Sequence, residues 1–232
     1  KLFNKKTWLL ISGIFLSQSL FAQASVKDTS TRQGTDETKK KIEQLVNGYT
    51  SNSAFEGTIL IAKSGQIIFK KAYGLADRAK KQPTTTSDPF QIASLSKPIT
   101  ATMALMLEER GKLALDDTLA DYFPEFDNDS GKEITLHHLL SHTSGIPNHF
   151  VIDGWFAPDF HKKISEQEFV GLIANISPRF GPGADYLYSN LGYFLLGKVI
   201  EQATGKSFAA SIQEYIFTPL NMGVSGVATG PQ

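Results

Sequence analysis

The spacing of apolar residues divides the chain into a short β-hairpin and a longer series of helices. Residues 58–63 and 66–73 are rich in β-branched and apolar side chains, and Ser64-Gly65 between them is a two-residue turn of the kind that favours positive φ. Ahead of the hairpin, Thr35 can cap a helix whose apolar residues recur at helical spacing. Those residues are Ile42, Leu45, Val46 and Tyr49.

The remainder of the chain reads as helical. An apolar segment from Ser94 to about Arg110 predicts a helix that ends at Gly111. Its apolar residues occur around most of the circumference, so we expect this helix to be central and largely buried. Further helices are predicted over residues 135–141, 165–176, 190–204 and 207–217. One hairpin followed by mostly helix predicts an α+β fold, in which the hairpin requires more strands to form a stable sheet.

The N-terminal segment is typical of an exported protein. Lys1, Lys5 and Lys6 precede an apolar run over residues 8–21, and Ala22-Gln23-Ala24 fits the small-residue rule for signal cleavage. A run of about 14 residues is shorter than the roughly 20 that a bilayer span requires. We therefore expect a periplasmic or secreted protein with no stable membrane span after signal removal.

This interpretation divides the chain into three parts. Residues 1–24 are read as a signal peptide, 25–36 as a flexible linker rich in polar residues, and 37–232 as one folded domain. Because the chain begins with Lys, we expect the first residue of the natural product to lie upstream.

Composition narrows the classes of function. Hydrophobic residues make up 41% of the 232 positions, which is ample for a folded core. Lys plus Arg and Asp plus Glu number 23 each, so nothing indicates nucleic acid or an anionic membrane surface as a partner. The absence of cysteine excludes disulfides and a thiolate nucleophile.

Ser94-Leu95-Ser96-Lys97 stands at the start of the predicted apolar helix. The i to i+3 spacing places the Ser94 hydroxyl and the Lys97 amine on one face, as a nucleophile beside a base. Pro98 in the first turn and the positive end of the helix dipole suit such a position. A Ser-x-x-Lys match also occurs by chance about once or twice in a chain of this composition, so a helix cap followed by a solvated lysine is the alternative.

A second polar segment, Tyr188-Ser189-Asn190, follows the Gly181-Pro182-Gly183 loop and opens the predicted helix over 190–204. A phenol with a lowered pKa can relay a proton, and an amide can hold both a lysine and a substrate carbonyl. The equally weighted alternative is an ordinary helix start with Asn190 as its cap.

In these two segments and in the sequence between them, the chain resembles the serine β-lactamase and penicillin-binding protein superfamily. The tyrosine in the second segment resembles the branch of class C enzymes, D-alanyl-D-alanine carboxypeptidases and family VIII esterases. Supporting stretches are residues 55–58, 111–117, 122–124 and 138–145. The resemblance covers residues 55 to about 222 and implies a β-lactamase/transpeptidase-like fold, an antiparallel sheet packed with a helical region.

The resemblance also implies roles and a reaction. Ser94 resembles the acylated serine, Lys97 its proton acceptor, Tyr188 the residue that shares protons with that lysine, and Asn190 the positioning amide. The backbone N–H of Ser94 would form half of an oxyanion hole. The implied protein is a bacterial exported serine hydrolase that acts on a β-lactam, a D-alanyl peptide or an ester without cofactor or metal.

The family has a third segment, Lys or His followed by a small residue and Gly, on a strand after the tyrosine segment. We expect it beyond Gln232, which would leave the domain incomplete and its C-terminal strands missing from this chain. Lys63-Ser64-Gly65 has the residue types of this third segment, but it precedes Ser94 and fits the hairpin turn better. A non-catalytic penicillin-binding-like protein or an inactive truncated remnant is therefore the alternative function.

His138 and His142 are four residues apart, as two zinc ligands on a helix would be. Leu139 occupies the place of the glutamate that such a motif requires, and no third ligand is evident. We interpret both histidines as structural.

Overall fold

The computed structural model describes residues 29–50, 55–157, 160 and 164–228. The predicted signal peptide, residues 1–24, lies outside these residues. The chain divides into two compact units, Lys1–Asp88 and Pro89–Gln232. No helix in the described part of the chain has the length and apolar character needed to cross a bilayer.

Over residues 29–50 and 55–88, the first unit has one helix and two small antiparallel pairs of strands. Helix α1 spans Thr29–Thr50, β1 spans Gly57–Lys63 and pairs with β2, Gln66–Tyr73, and β3, Leu75–Asp77, pairs with β4, Gln82–Pro83.

The β1–β2 hairpin was predicted within one residue of its observed bounds. Ser64 and Gly65 have φ of 50° and 74°, which is the pair of left-handed conformations that a two-residue turn between twisted strands requires. Lys63-Ser64-Gly65 is therefore this turn, as expected from its position in the sequence.

Two features of the first unit differ from the prediction. Helix α1 begins at Thr29, before Thr35, and so includes part of the segment predicted as a flexible linker, residues 25–36. Of its predicted apolar face only Val46 is buried, whereas Leu45 is 65% and Tyr49 59% exposed. The short β3–β4 pair was missed because strands of two and three residues are too short to show an alternating pattern.

The second unit is helical. In the described residues of this unit, the α-helices of more than one residue are α2, Lys97–Glu109; α3, Leu119–Tyr122; α4, Asp129–Glu133; α5, Leu136–Leu140; α6, Glu166–Ala174; α7, Asn190–Thr204; and α8, Phe208–Ile212. Three single 3-10 turns occur at Ala93–Ser96, Pro124–Phe126 and His149–Val151, and a π-helical turn at Gln213–Phe217 follows α8.

Helix α7 lies at the centre of the second unit and packs against α2, α5 and α8. Leu195, Val199 and Ile200 on α7 are completely buried, as are Met103 and Leu107 on α2. These side chains belong to one continuous apolar core that also includes residues of α3, α5, α6 and α8. Because α2 and α7 share this core, the start of α2 has a fixed position relative to the start of α7.

Helix ends follow their sequence signals. Ser165 and Glu168 form the predicted capping box at α6, and Gly205 ends α7 in the left-handed conformation with φ of 66°. The predicted helix over 207–217 instead becomes α8 followed by the π-helical turn.

We expected the Ser94–Arg110 helix to be largely buried, and this is wrong. One side of the helix is buried and the other is exposed. Thr100, Met103, Ala104 and Leu107 are buried, whereas Leu105 is 49% exposed. Within the second unit α2 packs against α7, α8 and the π-helical turn, which leave its other side uncovered. Overall, the α+β class and the antiparallel β1–β2 pair agree with the prediction.

Candidate active site

The Ser94 hydroxyl lies on the turn that leads into α2. Residues Ala93–Ser96 form a 3-10 turn, and Pro98 occupies the first turn of the helix that follows. Ala93 has φ of 45°, a left-handed conformation that is unfavourable for a residue with a Cβ atom. The turn places the Lys97 Nζ 3.3 Å from the Ser94 Oγ. Because both side chains come from one turn of chain, helix geometry alone accounts for their proximity.

The segment that carries Tyr188 is held against the residues that follow α5. Backbone N–H groups of Arg179, Gly183 and Leu187 donate to the carbonyl oxygens of Gly145, Thr143 and His142 at 2.8, 2.9 and 2.8 Å. Three hydrogen bonds spread along the loop fix its course as far as Leu187. The loop therefore reaches Tyr188 in a defined position.

Ser189, not Asn190, caps helix α7. The Ser189 hydroxyl accepts a hydrogen bond from the Gly192 N–H at 3.1 Å, and it also donates to the Pro147 carbonyl at 3.2 Å. The side chain of Asn190 is consequently not used for capping. Its Oδ1 accepts a hydrogen bond from the Lys97 Nζ at 2.7 Å, so the alternative of Asn190 as an ordinary cap is wrong.

The four predicted site residues come together around one hydroxyl. The Tyr188 phenol donates to the Ser94 Oγ at 2.6 Å, and Lys97 bridges Ser94 and Asn190. Ser94 is exposed, while Lys97, Tyr188 and Asn190 are half-buried. The hydroxyl therefore faces solvent and lies in hydrogen-bond contact with a phenol and an amine, an arrangement that suits nucleophilic chemistry.

The site distinguishes its two tyrosines electrostatically. Hydrogen bonding to Lys97, followed by hydrogen bonding to Ser94, lowers the pKa of the Tyr188 phenol below its ordinary value of 10. Burial, followed by the neighbouring phenols of Tyr188 and Tyr186, raises the pKa of Tyr193. The Lys97 Nζ lies 4.7 Å from the ring centroid of Tyr188 and 5.4 Å from that of Tyr193. The site thus favours the deprotonated form of Tyr188 and disfavours that of Tyr193.

Sequence reasoning missed three residues that support the site. Tyr193 lies three residues after Asn190 on α7, and its hydroxyl donates to the Leu140 carbonyl at 3.0 Å. The Asn148 Oδ1 accepts from the Asn190 N–H at 3.3 Å. His142 packs on Tyr188 with ring centroids 4.5 Å apart. The spacing of Asn190 and Tyr193 on one helix face was the available signal for Tyr193. His142 lies in the 138–145 stretch that supports the resemblance but was interpreted as structural, and nothing in the sequence linked Asn148 to this site.

His138 has a local role in the start of α5. Its Nδ1 accepts from the Thr135 N–H at 3.1 Å as part of a reciprocal cap. In the described part of the chain, no group of three His, Cys, Asp or Glu side chains could hold a metal ion.

Comparison with known proteins agrees with this geometry. The family model described as Beta-lactamase matches residues 39–231. The chain belongs to the β-lactamase family. Its α+β architecture is accordingly that of the β-lactamase/transpeptidase fold.

The relatives of this chain are named after different activities. Penicillin-binding protein 4* of Bacillus subtilis is 37% identical over 188 residues, which cover 79% of this chain and 40% of the relative. Esterase EstB of Burkholderia gladioli is 34% identical over 178 residues, which cover 70% of this chain and 44% of the relative. A class C β-lactamase solved in complex with cefoxitin has a TM-score of 0.69 at 26% identity, covering 82% of this chain and 51% of that one. The chain thus spans less than half of these two curated relatives.

Proposed function

We propose that this β-lactamase family member is an exported serine hydrolase that forms an acyl-enzyme at Ser94. The observation that supports this proposal most strongly is the contact of one hydroxyl with two proton-transfer groups, the Tyr188 phenol at 2.6 Å and the Lys97 amine at 3.3 Å. A helix cap with a solvated lysine would show neither the Tyr188 contact nor the Asn190 contact. The convergence of residues more than ninety positions apart therefore favours a catalytic role.

In the proposed acylation step, the Ser94 Oγ attacks the carbonyl carbon of a lactam, amide or ester. An Oγ–C bond forms, and the serine proton passes to the Tyr188 and Lys97 pair. The bond between the carbonyl carbon and the leaving nitrogen or oxygen then breaks, and that atom takes the proton from the same pair. Because the pKa of Tyr188 is lowered, its phenolate is more accessible at moderate pH than that of an ordinary tyrosine.

In the proposed deacylation step, water attacks the acyl carbon and its proton passes to the same pair. The C–Oγ bond breaks, and Ser94 recovers its proton. Asn190 keeps Lys97 in place through the 2.7 Å hydrogen bond during both steps. Its amide N–H group provides a donor that a substrate carbonyl can use.

The substrate class stays open between a β-lactam, a D-alanyl peptide and an ester. The relatives named as a penicillin-binding protein, an esterase and a β-lactamase all support acyl transfer, and they differ in the acyl donor. One catalytic arrangement can serve all three donors, since the choice depends on the shape of the pocket around it.

Export is supported by the N-terminal pattern of basic residues, an apolar run and Ala22-Gln23-Ala24. The protein recovered from a bacterial periplasm or medium should begin at Ser25. A mass that retains residues 1–24 would contradict this part of the proposal.

The hydrolase proposal is tested by covalent labelling with a fluorescent penicillin and with a fluorophosphonate. Ser94→Ala should abolish labelling, because it removes the attacking oxygen. Ser96→Ala is the matched control: this exposed hydroxyl lies in the same turn but donates to the Ala93 carbonyl at 2.7 Å. Labelling that survives Ser94→Ala would identify another nucleophile, and a wild-type protein that reacts with neither probe would favour the non-catalytic alternative.

A further inference from the structure

His142 holds an unusual backbone conformation directly after α5. Its φ of 59° lies in the left-handed region, which residues with a Cβ atom seldom adopt. The His142 N–H donates to the Leu139 carbonyl at 3.3 Å, and its own carbonyl accepts from the Leu187 N–H at 2.8 Å. Hydrogen bonds on both sides of the residue therefore hold it in this strained conformation.

This conformation directs the imidazole to the segment that carries Tyr188. The ring centroid lies 4.5 Å from that of Tyr188, and the two rings are inclined by 35°. The His142 Nδ1 accepts a hydrogen bond from the Ser189 N–H at 3.1 Å. One side chain thus contacts the ring of Tyr188 and binds the backbone of the next residue.

The hydrogen bond defines the state of the imidazole. A backbone N–H can only donate, so Nδ1 must be unprotonated and the proton of the neutral ring lies on Nε2. Protonation of Nδ1 would place two donors against each other and break this bond. The contact with the Ser189 N–H therefore exists only while His142 is neutral.

The surroundings of His142 also disfavour a positive charge. The groups that face it are the Lys97 amine from α2, the Tyr186 and Tyr188 phenols from the loop, and Tyr193 from α7, whose ring centroid is 5.0 Å away. Burial, followed by the charge of Lys97, lowers the pKa of His142 below its ordinary value of 6.5. At neutral pH the imidazole is consequently uncharged.

We propose that His142 is a positioning residue for Tyr188: as a neutral imidazole it keeps the phenol within reach of Ser94, and its protonation slows acylation in acid. This inference rests on the proposed function, because it concerns the rate of the same acylation step. His138 on α5 shows the contrast, since its Nδ1 bonds to the N–H of Thr135 and its role is confined to the helix cap.

The sign of the pH effect follows from the lowered pKa. Well above pH 6.5 His142 is neutral in both the folded and the unfolded chain, and the contact with Ser189 is intact. As the pH falls below 6.5, the unfolded chain binds a proton first, and the folded chain follows at a lower pH. The labelling rate should already decline with acid as Tyr188 becomes protonated, so His142 should add a further fall below pH 6.5, which is called the acid limb here.

The first test does not depend on activity. Ring ¹⁵N NMR of the histidine-labelled chain should show His142 as the Nε2–H tautomer with a titration midpoint below 6.5, and His142→Phe would assign its signals. A proton on Nδ1, or a midpoint at or above 6.5, would overturn the inference.

The second test measures the labelling rate with the fluorophosphonate between pH 5 and pH 8. His142→Phe keeps an aromatic ring but removes the acceptor and the titration, and we expect a rate about tenfold lower at pH 7.5 with no acid limb. His142→Asn keeps an acceptor and tolerates the left-handed backbone, so it should recover part of the rate, again without the acid limb. His137→Asn, on the exposed side of α5, should retain the wild-type rate and pH profile.

The two proposals fail in different ways. A wild-type chain that does not label at all contradicts the hydrolase proposal, whereas the NMR result still decides the state of His142. If the wild type labels and His142→Phe matches its rate and its acid limb, only the inference about His142 is wrong. If neither variant folds, the tautomer and midpoint of the wild-type imidazole decide.

Discussion

The two halves of the site are positioned in different ways. Ser94 and Lys97 lie on one turn of chain, so their 3.3 Å contact needs little more than the geometry of a helix start. Tyr188 and Asn190 come more than ninety residues later, and they reach Ser94 and Lys97 through the loop that pairs with residues 142–145 and through the packing of α7 on α2. The contact between Ser94 and Lys97 should therefore persist when the loop is changed. The contacts of Tyr188 and Asn190 with Ser94 and Lys97 should be weakened by such changes.

After loss of Ser94 itself, the largest reduction in labelling rate is expected from Lys97, in the half of the site formed by Ser94 and Lys97. Lys97→Ala removes the amine that contacts Ser94 and Asn190, and it should slow covalent labelling at least about a hundredfold, the usual scale of a lost general base. Lys112→Ala, on an exposed residue of the same unit, is the control and should leave the rate unchanged. A reduction well below a hundredfold would remove Lys97 from the proton transfer.

A smaller reduction in labelling rate is expected from Tyr188, in the half of the site formed by Tyr188 and Asn190. Tyr188→Phe removes a 2.6 Å hydrogen bond to the Ser94 Oγ and one of the two groups proposed to accept its proton, and it should slow labelling about tenfold to a hundredfold, which corresponds to about 1.4–2.7 kcal/mol. Tyr186→Phe is the matched control, because its phenol is on the same loop and its side chain is 62% exposed.

The pH dependence of the Tyr188→Phe variant sharpens this comparison. The pKa of Tyr188 is lowered below 10, and in the proposed acylation its deprotonated form accepts the serine proton together with Lys97. The wild-type labelling rate should therefore rise as the pH increases towards that lowered pKa. The rise should be absent in Tyr188→Phe and present in Tyr186→Phe; an identical rise in Tyr188→Phe would show that another group titrates.

The smallest effect on labelling is expected from a change in the loop contact itself. Gly145 has φ of 75°, and a Cβ atom there would lie 2.4 Å from the Phe180 carbonyl oxygen. Gly145→Ala should lower the free energy of unfolding by about 1–3 kcal/mol, measured by chemical denaturation. It should slow labelling only about threefold to tenfold, because the phenol is kept but displaced.

Gly181→Ala is the control for this loop. A Cβ atom at Gly181 meets nothing within 4 Å, so stability and labelling should both stay close to wild type. Equal effects of the two alanine substitutions would show that the contact between residues 142–145 and the loop does not position Tyr188.

The fold was predictable where a local signal exists. The Ser64-Gly65 turn, the Ser165 capping box and the Gly205 helix end each depend on residues within a few positions, and each is present. The burial of α2 was not predictable, because apolar residues all round a helix do not show which side its neighbours cover. The π-helical turn at Gln213–Phe217 likewise has no sequence signal that distinguishes it from a continuing helix.

Within the site, the sequence by itself determined the chemical groups and one contact. Ser94 and Lys97 adjoin because i to i+3 spacing puts them on one face, and Tyr188-x-Asn190 stands at a helix start where side chains can project. The sequence left two interpretations of Asn190 open, and only the tertiary structure decided between them, by using Ser189 as the cap.

Tertiary structure alone decided the convergence of the two halves and the presence of His142, Asn148 and Tyr193 beside them. The physical reason is that these contacts join residues far apart in the chain, and their distances depend on how the whole core around α7 packs. Spacing along a sequence predicts neighbours within a helical turn, whereas the distance between α2 and the loop before α7 is a property of the packed unit.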